Sequence, residues 1–235
     1  MAATDELARL CRIGPDSRVL DVGCGAGVTA CYLAREYGCR VTGVDILAGM
    51  VDRSSERATK EKLVDRVIFK VADAQELPFD DETFDAVISE SVTSFPADKL
   101  KAVREYARVT KPGGYVGMNE STWLKEPTQE MVTWVSQDIA GSAMPLSPDA
   151  WRELLEDAGL KEIEVKTVAI EAAGEARSMM QRYDRRGMLG IWGRMFGLYL
   201  RNPAYRRFMK NVRQQGLVPK GLDKRLGYGL YVGRK

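Results

Sequence analysis

Residues 19–27 of the chain read VLDVGCGAG. The first four residues of this stretch are apolar except for Asp21, as expected of a buried strand, and glycines follow at positions 23, 25 and 27. Glycine lets a backbone approach a ligand closely, and a helix that begins directly afterwards adds a positive field at its N-terminus. The stretch therefore predicts a strand, a nucleotide-type loop and a helix in succession.

The loop departs from the pattern of dinucleotide-binding enzymes. Their G-x-G-x-x-G fingerprint requires a glycine at position 28, and this chain has Val28 there. The loop is thus typical of nucleotide binding in general and does not indicate a dehydrogenase.

On both sides of this loop, predicted strands and helices alternate along the first half of the chain. An amphipathic helix is predicted at 5–13, strands at 18–22, 40–44, 67–71, 84–89 and 115–118, and helices at 28–37, 47–62 and 96–109. Such alternation predicts βαβ units and a doubly wound α/β sheet of mostly parallel strands. The turn Lys111-Pro112-Gly113-Gly114 separates the last of these helices from its strand.

The second half of the chain is less regular. Helices are predicted at 129–139 and from Pro148, which follows the cap residue Ser147, and strands at 161–170 and 226–232. Residues 175–215 are basic and helical in pattern. We predict one domain over 1–235, with a cofactor-binding half (1–120), a substrate-side part (121–170), a basic helical insertion (171–225) and a closing strand (226–235).

Charge is distributed unevenly along the chain, although the net charge is only +2. Residues 1–170 carry 20 Lys/Arg and 29 Asp/Glu, whereas residues 171–235 carry 15 and 4. This asymmetry predicts an acidic partner surface for the second segment.

Cysteine and histidine usage argues against a metal site. The four cysteines include no C-x-x-C pair, and the chain has no histidine. We therefore expect no metal, and small buried thiols in a reducing compartment. We also expect no signal peptide and no membrane span, because the first residues lack a basic and then apolar pattern and no apolar run reaches about 18 residues. The expected location is cytoplasmic.

Two aspartates follow strands at positions suited to a nucleoside. Asp45 ends the second strand, 22 positions after Gly23, where a carboxylate accepts hydrogen bonds from both ribose hydroxyls. Asp73 follows the third strand, where a carboxylate accepts a bond from an adenine amino group. The alternatives are that Asp45 caps the next helix and that Asp73 is an ordinary loop residue.

Together these segments resemble the class I S-adenosylmethionine-dependent methyltransferases. The matching segments are VLDVGCGAG, VTGVD, VADAQELPF, FDAVISE and RVTKPGGYV, in that family's order and spacing over residues 18–118. The resemblance implies a Rossmann-like seven-stranded sheet with one antiparallel strand and S-adenosylmethionine as cofactor. The LPF segment and the KPGG turn are similar to those of small-molecule methylases, including the quinone-methylating group.

The resemblance also implies which residues bind the cofactor. Asp21 and the glycine loop would lie by its methionine part, Asp45 by the ribose, Asp73 by the adenine, and Ser89 by the amino group. The full set that it implies is Asp21, Gly23, Cys24, Gly25, Gly27, Asp45, Ile46, Met50, Asp73, Ala74 and Ser89.

Methyl transfer requires alignment of acceptor, methyl and sulfur, and a general base only if the acceptor loses a proton. Histidine is excluded by composition, which leaves a carboxylate, tyrosine, lysine or water. We predict Glu90, after the fourth strand, as the catalytic candidate, and Glu120, after the fifth, as a substrate-side residue. Ser91 and Trp123 are further candidates for the acceptor pocket. The alternative is that each glutamate caps a loop or pairs with an arginine.

The segment GMLGIWGRMFGLYL at 187–200, followed by basic residues to 213, has three interpretations. It is a packed helical insertion, a lid over an apolar acceptor, or an interfacial helix on an anionic membrane through 187–213. The last two predict that deletion of 187–200 abolishes acceptor turnover and spares cofactor binding.

The sequence thus predicts methyl transfer from S-adenosylmethionine to a small, lipophilic acceptor. The alternatives are methylation of a polar metabolite or RNA, and a non-catalytic regulatory protein that binds the cofactor. RNA is disfavoured because no RNA-binding module is recognisable and aromatics are not interleaved with the basic run. The oligomeric state does not follow from the residues.

Overall fold

A computed structural model describes residues 2–136, 143–169 and 219–235 of the chain. These residues form a central sheet with helices on both faces. The elements are α1 (Ala2–Leu10), β1 (Arg18–Val22), α2 (Val28–Tyr37), β2 (Arg40–Asp45), α3 (Ala48–Lys60), β3 (Val67–Val71), β4 (Phe84–Glu90), α4 (Lys99–Val109), β5 (Thr110–Trp123), α5 (Gln129–Trp134), α6 (Pro148–Asp157), β6 (Lys161–Ala169) and β7 (Leu226–Arg234).

The sheet has seven strands in the order β3-β2-β1-β4-β5-β7-β6. Strands β1 to β5 pair in parallel, and β7 runs antiparallel to both β5 and β6. The predicted mostly parallel sheet with one antiparallel strand is confirmed. The chain leaves β1 in one direction to reach β2 and β3 and later returns on the other side to form β4. Such a reversal opens a crevice at the carboxyl ends of the central strands.

Each face of the sheet has its own apolar core, because successive strand side chains point to opposite faces. Val19 and Ile88 pack with residues of α1, α2 and α3 in one core. Leu20 and Val87 pack with residues of α4 and α6 in the other. We call these the α1–α3 face and the α4–α6 face.

Several predicted boundaries differ from the structure. α1 spans residues 2–10 rather than 5–13, and α4 begins at Lys99 rather than at 96, because the Asp98 side chain caps it by accepting from Lys101 N. β5 continues to Trp123 rather than ending at 118, because β7 pairs with it along that whole length. β5 also begins at Thr110, so the predicted turn at 111–114 lies within the strand, where the register of β4 with β5 shifts.

All four cysteines are buried and free, as expected of small core thiols. In the described parts of the chain, no helix is long and apolar enough to cross a membrane. Most of the predicted basic insertion (171–225), including the segment 187–213, lies outside the described residues.

Candidate active site

A cavity of about 600 Å³ opens at the carboxyl ends of β1 to β4. Its size is within the range of small-molecule sites, about 300–1,000 Å³. The residues that line it are Val22, Gly23, Asp45, Ile46, Leu47, Ala72, Asp73, Ala74, Gln75, Glu90, Ser91, Val92, Phe95, Pro96 and Ala97.

The structure brings part of the predicted site to this cavity. The predicted residues that line it are Gly23, Asp45, Ile46, Asp73, Ala74, Glu90 and Ser91. The predicted residues that do not line it are Asp21, Cys24, Gly25, Gly27, Met50, Ser89, Glu120 and Trp123. Some residues of this second group are next to lining residues, such as Asp21 and the glycine loop. Others, such as Glu120 and Trp123, make their contacts in other parts of the structure.

The glycine loop is fixed to the end of β2. Cys24 N donates to Val44 O at 2.9 Å, and Gly25 N donates to Asp45 Oδ2 at 2.9 Å. Gly25 has φ +51°, and a Cβ built on it would meet no atom within 4 Å, so the loop presents bare backbone to open space. Gly27 begins α2 in a left-handed conformation without a side-chain cap. The N–H of Ala30 bonds Asp21, which leaves the N–H groups of Val28 and Thr29 in the first turn of α2 for a ligand.

Asp45 is held in place by backbone groups on either side of it. Its Oδ2 accepts from Gly25 N, and its Oδ1 accepts from Leu47 N at 2.9 Å. Each carboxylate oxygen has two acceptor positions, so one remains on each for a ligand. Asp45 thus orients the turn that precedes α3 and keeps one free acceptor position on each oxygen, whereas no side chain caps α3 itself.

Asp73 forms a local turn on one of its oxygens. Its Oδ1 accepts from Gln75 N at 2.9 Å and from Gln75 Nε2 at 3.4 Å. Its Oδ2 accepts no bond from the residues that the structure describes. On the same rim, Ile46 is 64% and Leu47 58% exposed, so an apolar surface lies beside the carboxylates.

Three carboxylates share the α1–α3 face at this edge of the sheet. Asp21 pairs with Gly43 of β2 and Ile88 of β4, and Asp45 and Glu90 lie two residues beyond those partners. Because side chains two residues apart point to the same face, all three carboxylates point to one side.

Asp21 is the buried member of this group. It is 2% exposed, and its Oδ2 has no hydrogen-bond partner among the described residues. The pKa of Asp21 is raised to about 8, mainly by burial and secondly by the negative charge of Glu90. A hydrogen bond from the Ala30 N–H lowers this pKa but does not cancel the increase. A buried carboxyl among other carboxylates is an environment that favours a cationic ligand.

Glu90 is the last residue of β4, and its carboxylate is surrounded by donors from three elements. Thr4 Oγ1 of α1 donates to its two oxygens at 3.1 and 3.2 Å, Thr29 Oγ1 of α2 at 2.8 Å, and Asn119 Nδ2 of β5 at 3.3 Å. A carboxylate offers about four acceptor positions. Glu90 therefore lines the cavity while its hydrogen-bonding capacity is largely used by the protein.

Glu120 was predicted to follow the fifth strand, but β5 continues through it to Trp123. Glu90 pairs with Asn119, so Glu120 points to the opposite, α4–α6 face, inside β5 and 1% exposed. Its carboxylate accepts from Val92 N at 3.0 Å, Thr93 N at 2.6 Å and Ser94 Oγ at 2.8 Å. Burial raises its pKa. This arrangement matches the loop-capping alternative.

The loop after β4 contributes cavity residues that the sequence analysis missed. Val92, Phe95, Pro96 and Ala97 all line the cavity, and Phe95 is 44% exposed. The sequence pattern that could have indicated them is a group of apolar residues within seven positions of the end of a buried strand. Ser91, at φ +59°, begins this loop and donates its N–H to Asn119 O at 2.8 Å.

Three other predicted positions are placed away from the cavity. Trp123 packs in a separate apolar cluster with Met131 and Leu222, because β5 extends to it. Ser89 is fully buried on the α4–α6 face, where its hydroxyl bonds Thr93 Oγ1 at 3.0 Å. Met50 lies in the first turn of α3 and does not reach the cavity wall.

Comparison with known proteins finds a family model described as a methyltransferase domain, which matches residues 20–118. The methyltransferase GfsG of Streptomyces halstedii is 31% identical over 209 residues, covering 83% of this chain and 74% of that protein. The 27-O-demethylrifamycin SV methyltransferase of Amycolatopsis mediterranei is 35% identical over 161 residues, covering 67% of this chain.

Solved structures share the whole fold. The [4+2]-cyclase SpnF superposes with a TM-score of 0.74 at 25% identity, covering 100% of this chain and 80% of that one. The chain spans 59% of the length of the rifamycin relative and 65% of another curated relative. The similarity therefore reaches well beyond the glycine loop without covering those two relatives in full.

Proposed function

Because the chain belongs to the class I S-adenosylmethionine-dependent methyltransferases, we propose that it transfers the methyl group of S-adenosylmethionine to a small, largely apolar acceptor. The observation that carries the proposal is the cavity at the strand ends. It combines two carboxylates suited to a nucleoside, Asp45 and Asp73, with an apolar wall from the loop after β4. These features support binding of two ligands, one that contains a polar nucleoside and one that is apolar.

The residues around the cavity fit the cofactor. Asp45 would bind the ribose hydroxyls and Asp73 Oδ2 the adenine amino group, with Ile46 and Ala74 beside the adenosine. The orphaned oxygen of Asp21 supports a positively charged methionine part on that side. The substitutions Asp45→Asn and Asp73→Asn are therefore expected to weaken cofactor binding.

The same proposal covers the predicted loop and backbone contacts. The glycine loop, from Gly23 through Cys24 and Gly25 to Gly27, offers the uncapped N-terminus of α2 to the methionine carboxylate. Ser89 would contribute its backbone only, since its hydroxyl is already bonded.

When bound, the cofactor supplies an activated methyl group together with its leaving group. The residues of this chain would hold the two ligands in line and exclude water. Glu90 is proposed to position the ligands by holding α1, α2 and β5 together around the cavity. For Glu90 to accept a proton from the acceptor, one of its present hydrogen bonds would have to be exchanged.

The acceptor class is inferred from the exposed apolar side chains at the cavity. Phe95, which is 44% exposed, lines the cavity together with Val92, Pro96 and Ala97 of the same loop. The name of the rifamycin relative gives a small-molecule acceptor, which supports the same class. Glu120 would act on the acceptor indirectly, because it fixes the loop that carries Val92 and Phe95.

The segment 187–213 extends this proposal to residues that the structure does not describe. We infer that it serves as a lid over the acceptor or as a contact with an anionic membrane. Deletion of 187–200 should then abolish acceptor turnover and leave cofactor binding unchanged. Equal loss of both would favour a packed helical insertion.

A second candidate is a protein that binds the cofactor without transferring its methyl group. The similarity to SpnF favours it, because that protein has the same fold and is named a [4+2]-cyclase. Fold similarity alone does not fix the reaction. The two candidates differ in whether methyl label leaves the cofactor.

The test uses the purified full chain, methyl-labelled S-adenosylmethionine and an extract of the host cell. Label in the organic phase would support the proposal, whereas label in the aqueous or macromolecular fraction would refute the apolar acceptor class. Confirmed cofactor binding without transfer would favour the second candidate. Asp45→Asn should abolish labelling, while Asp52→Asn, an exposed aspartate on α3, is the matched control that should not.

A further inference from the structure

We propose that binding of the positively charged cofactor expels a proton from Asp21, and that this coupling favours the sulfonium cofactor over its neutral thioether product. The inference rests on the proposed function, because it concerns the same cofactor site. The step breaks the O–H bond of the Asp21 carboxyl, leaves the electron pair on the carboxylate and transfers the proton to the buffer.

The first support is the placement of Asp21. Its side chain lies in β1 between the two neighbouring strands whose ends carry Asp45 and Glu90, all on the α1–α3 face. It is 2% exposed, and its Oδ2 has no partner among the residues that the structure describes. A second and third negative charge beside an unsolvated carboxyl disfavour its ionisation.

The other titratable groups around Asp21 do not offset these charges. From β4 and β2, Glu90 and Asp45 both act on it as negative charges. From the glycine loop and α2, Cys24 and Cys31 are neutral thiols whose pKa values are raised by burial.

The helices packed on this face supply no cation to Asp21 either. On α3, the Arg57 guanidinium donates to Ala26 O at 2.8 Å and pairs with Glu61 at 3.1 Å. On α1, Thr4 presents an uncharged hydroxyl to Glu90, and Asp5 bonds Tyr32. In the described part of the chain, positive charge beside Asp21 must therefore come from a ligand.

The charge of the ligand decides how far Asp21 ionises. S-adenosylmethionine carries a sulfonium, an ammonium and a carboxylate, a net charge of +1, whereas the thioether product has no net charge. With a pKa of about 8, Asp21 is roughly 90% protonated at pH 7 in the free protein. A neighbouring positive charge lowers a carboxyl pKa, and both ligands bring an ammonium. Only the cofactor adds the sulfonium charge, so its complex holds fewer protons than the complex with the product.

The experiment is isothermal titration calorimetry of the full chain at pH 7 in phosphate and in Tris, which differ in ionisation enthalpy. Titration with S-adenosylmethionine is expected to release more protons than titration with S-adenosylhomocysteine, and the difference is at most about 0.9 proton, the amount that Asp21 holds at pH 7. The ratio of the two affinities should increase from pH 6 to pH 8, by at most about tenfold per pH unit, and level off above pH 8. Equal proton release with both ligands would overturn the proposal.

Two variants separate Asp21 from the ligand's own amino group, which titrates in the same pH range. Asp21→Asn should lose the difference in proton release between the two ligands, while Asp52→Asn should keep it. If Asp21→Asn does not fold, Glu90→Gln provides the second test. Removing the Glu90 charge lowers the pKa of Asp21, so less proton should be released at pH 7. An unchanged difference in either folded variant contradicts the coupling.

Failure of this inference is distinguishable from failure of the proposed function. If the wild-type protein shows no binding of S-adenosylmethionine, the proposed function itself is wrong. If it binds both ligands with the same proton release, only the role of Asp21 is wrong.

Discussion

Two glycines of the same loop should respond differently to alanine, although both have positive φ. At Gly23, with φ +70°, a Cβ would overlap the side chain of Val92. At Gly25, with φ +51°, a Cβ would meet no atom within 4 Å. Gly23→Ala and Gly25→Ala therefore form a matched pair that separates packing from backbone conformation.

The magnitudes follow from two contributions to the free energy of unfolding. A non-glycine residue in the left-handed region costs about 1–2 kcal/mol, and both variants carry this cost. Overpacking against Val92 adds about 1–3 kcal/mol at Gly23 only. We expect a loss of about 2–5 kcal/mol for Gly23→Ala and about 1–2 kcal/mol for Gly25→Ala. For a domain of this size, the difference corresponds to roughly 2–12 °C in Tm.

Urea unfolding measures these losses, and calorimetry with S-adenosylmethionine measures binding. Gly25→Ala should keep most of its stability and bind the cofactor more weakly than the wild type, because its methyl group would project into the open space beside the loop. Adding Val92→Ala to Gly23→Ala should restore part of the lost stability, through a coupling of about 0.5–3 kcal/mol. If Gly23→Ala is no less stable than Gly25→Ala, overlap with Val92 is refuted as a cause of instability.

Three further predictions concern buried polar groups. Glu120→Ala should destabilise the protein more than Glu120→Gln in urea unfolding, because it leaves two buried donors, Thr93 N and Ser94 Oγ, without an acceptor at about 1–3 kcal/mol each; equal losses would contradict this. Thr4→Val should accelerate amide hydrogen exchange in α1, since its hydroxyl is the donor from that helix to Glu90, and unchanged exchange would argue against that link. The pKa of Asp21 in the folded protein lies above its unfolded value of 3.8, so the stability of the wild-type protein should fall as pH rises from about 4 to 8. The Tm of Asp21→Asn should lack this part of the pH dependence. If the Tm values of the two proteins change in parallel with pH, Asp21 is not its source.

The fold was readable from the sequence because its signals are local. The glycine loop, the cap at Ser147 and the alternation of strand and helix patterns all involve residues within a few positions of one another. The structure confirms the seven strands and shows Ser147 accepting from Ala150 N at the start of α6. Asp45 and Asp73 were identified in the same way, because the end of a parallel strand places a residue at the ligand edge whatever lies far away in sequence.

Long-range pairing decided the parts that the sequence left open or misplaced. Glu90 and Glu120 both follow apolar strand residues, and only the pairing of Glu90 with Asn119, 29 positions apart, puts the two carboxylates on opposite faces. Likewise, the bond from Thr4 to Glu90 joins residues 86 positions apart.

Local signals in the sequence were enough for the class of fold, for the sheet edge at which the cavity opens and for the residue types available there. The tertiary structure alone decided which carboxylate is buried, which is saturated with donors and which supports a loop. Side chains alternate between the two faces of a strand. A shift of one residue in register therefore moves every side chain of that strand to the other face and into different surroundings. Asp21 is the clearest case, since its charged neighbours Asp45 and Glu90 come from two strands whose pairing with β1 no local pattern specifies.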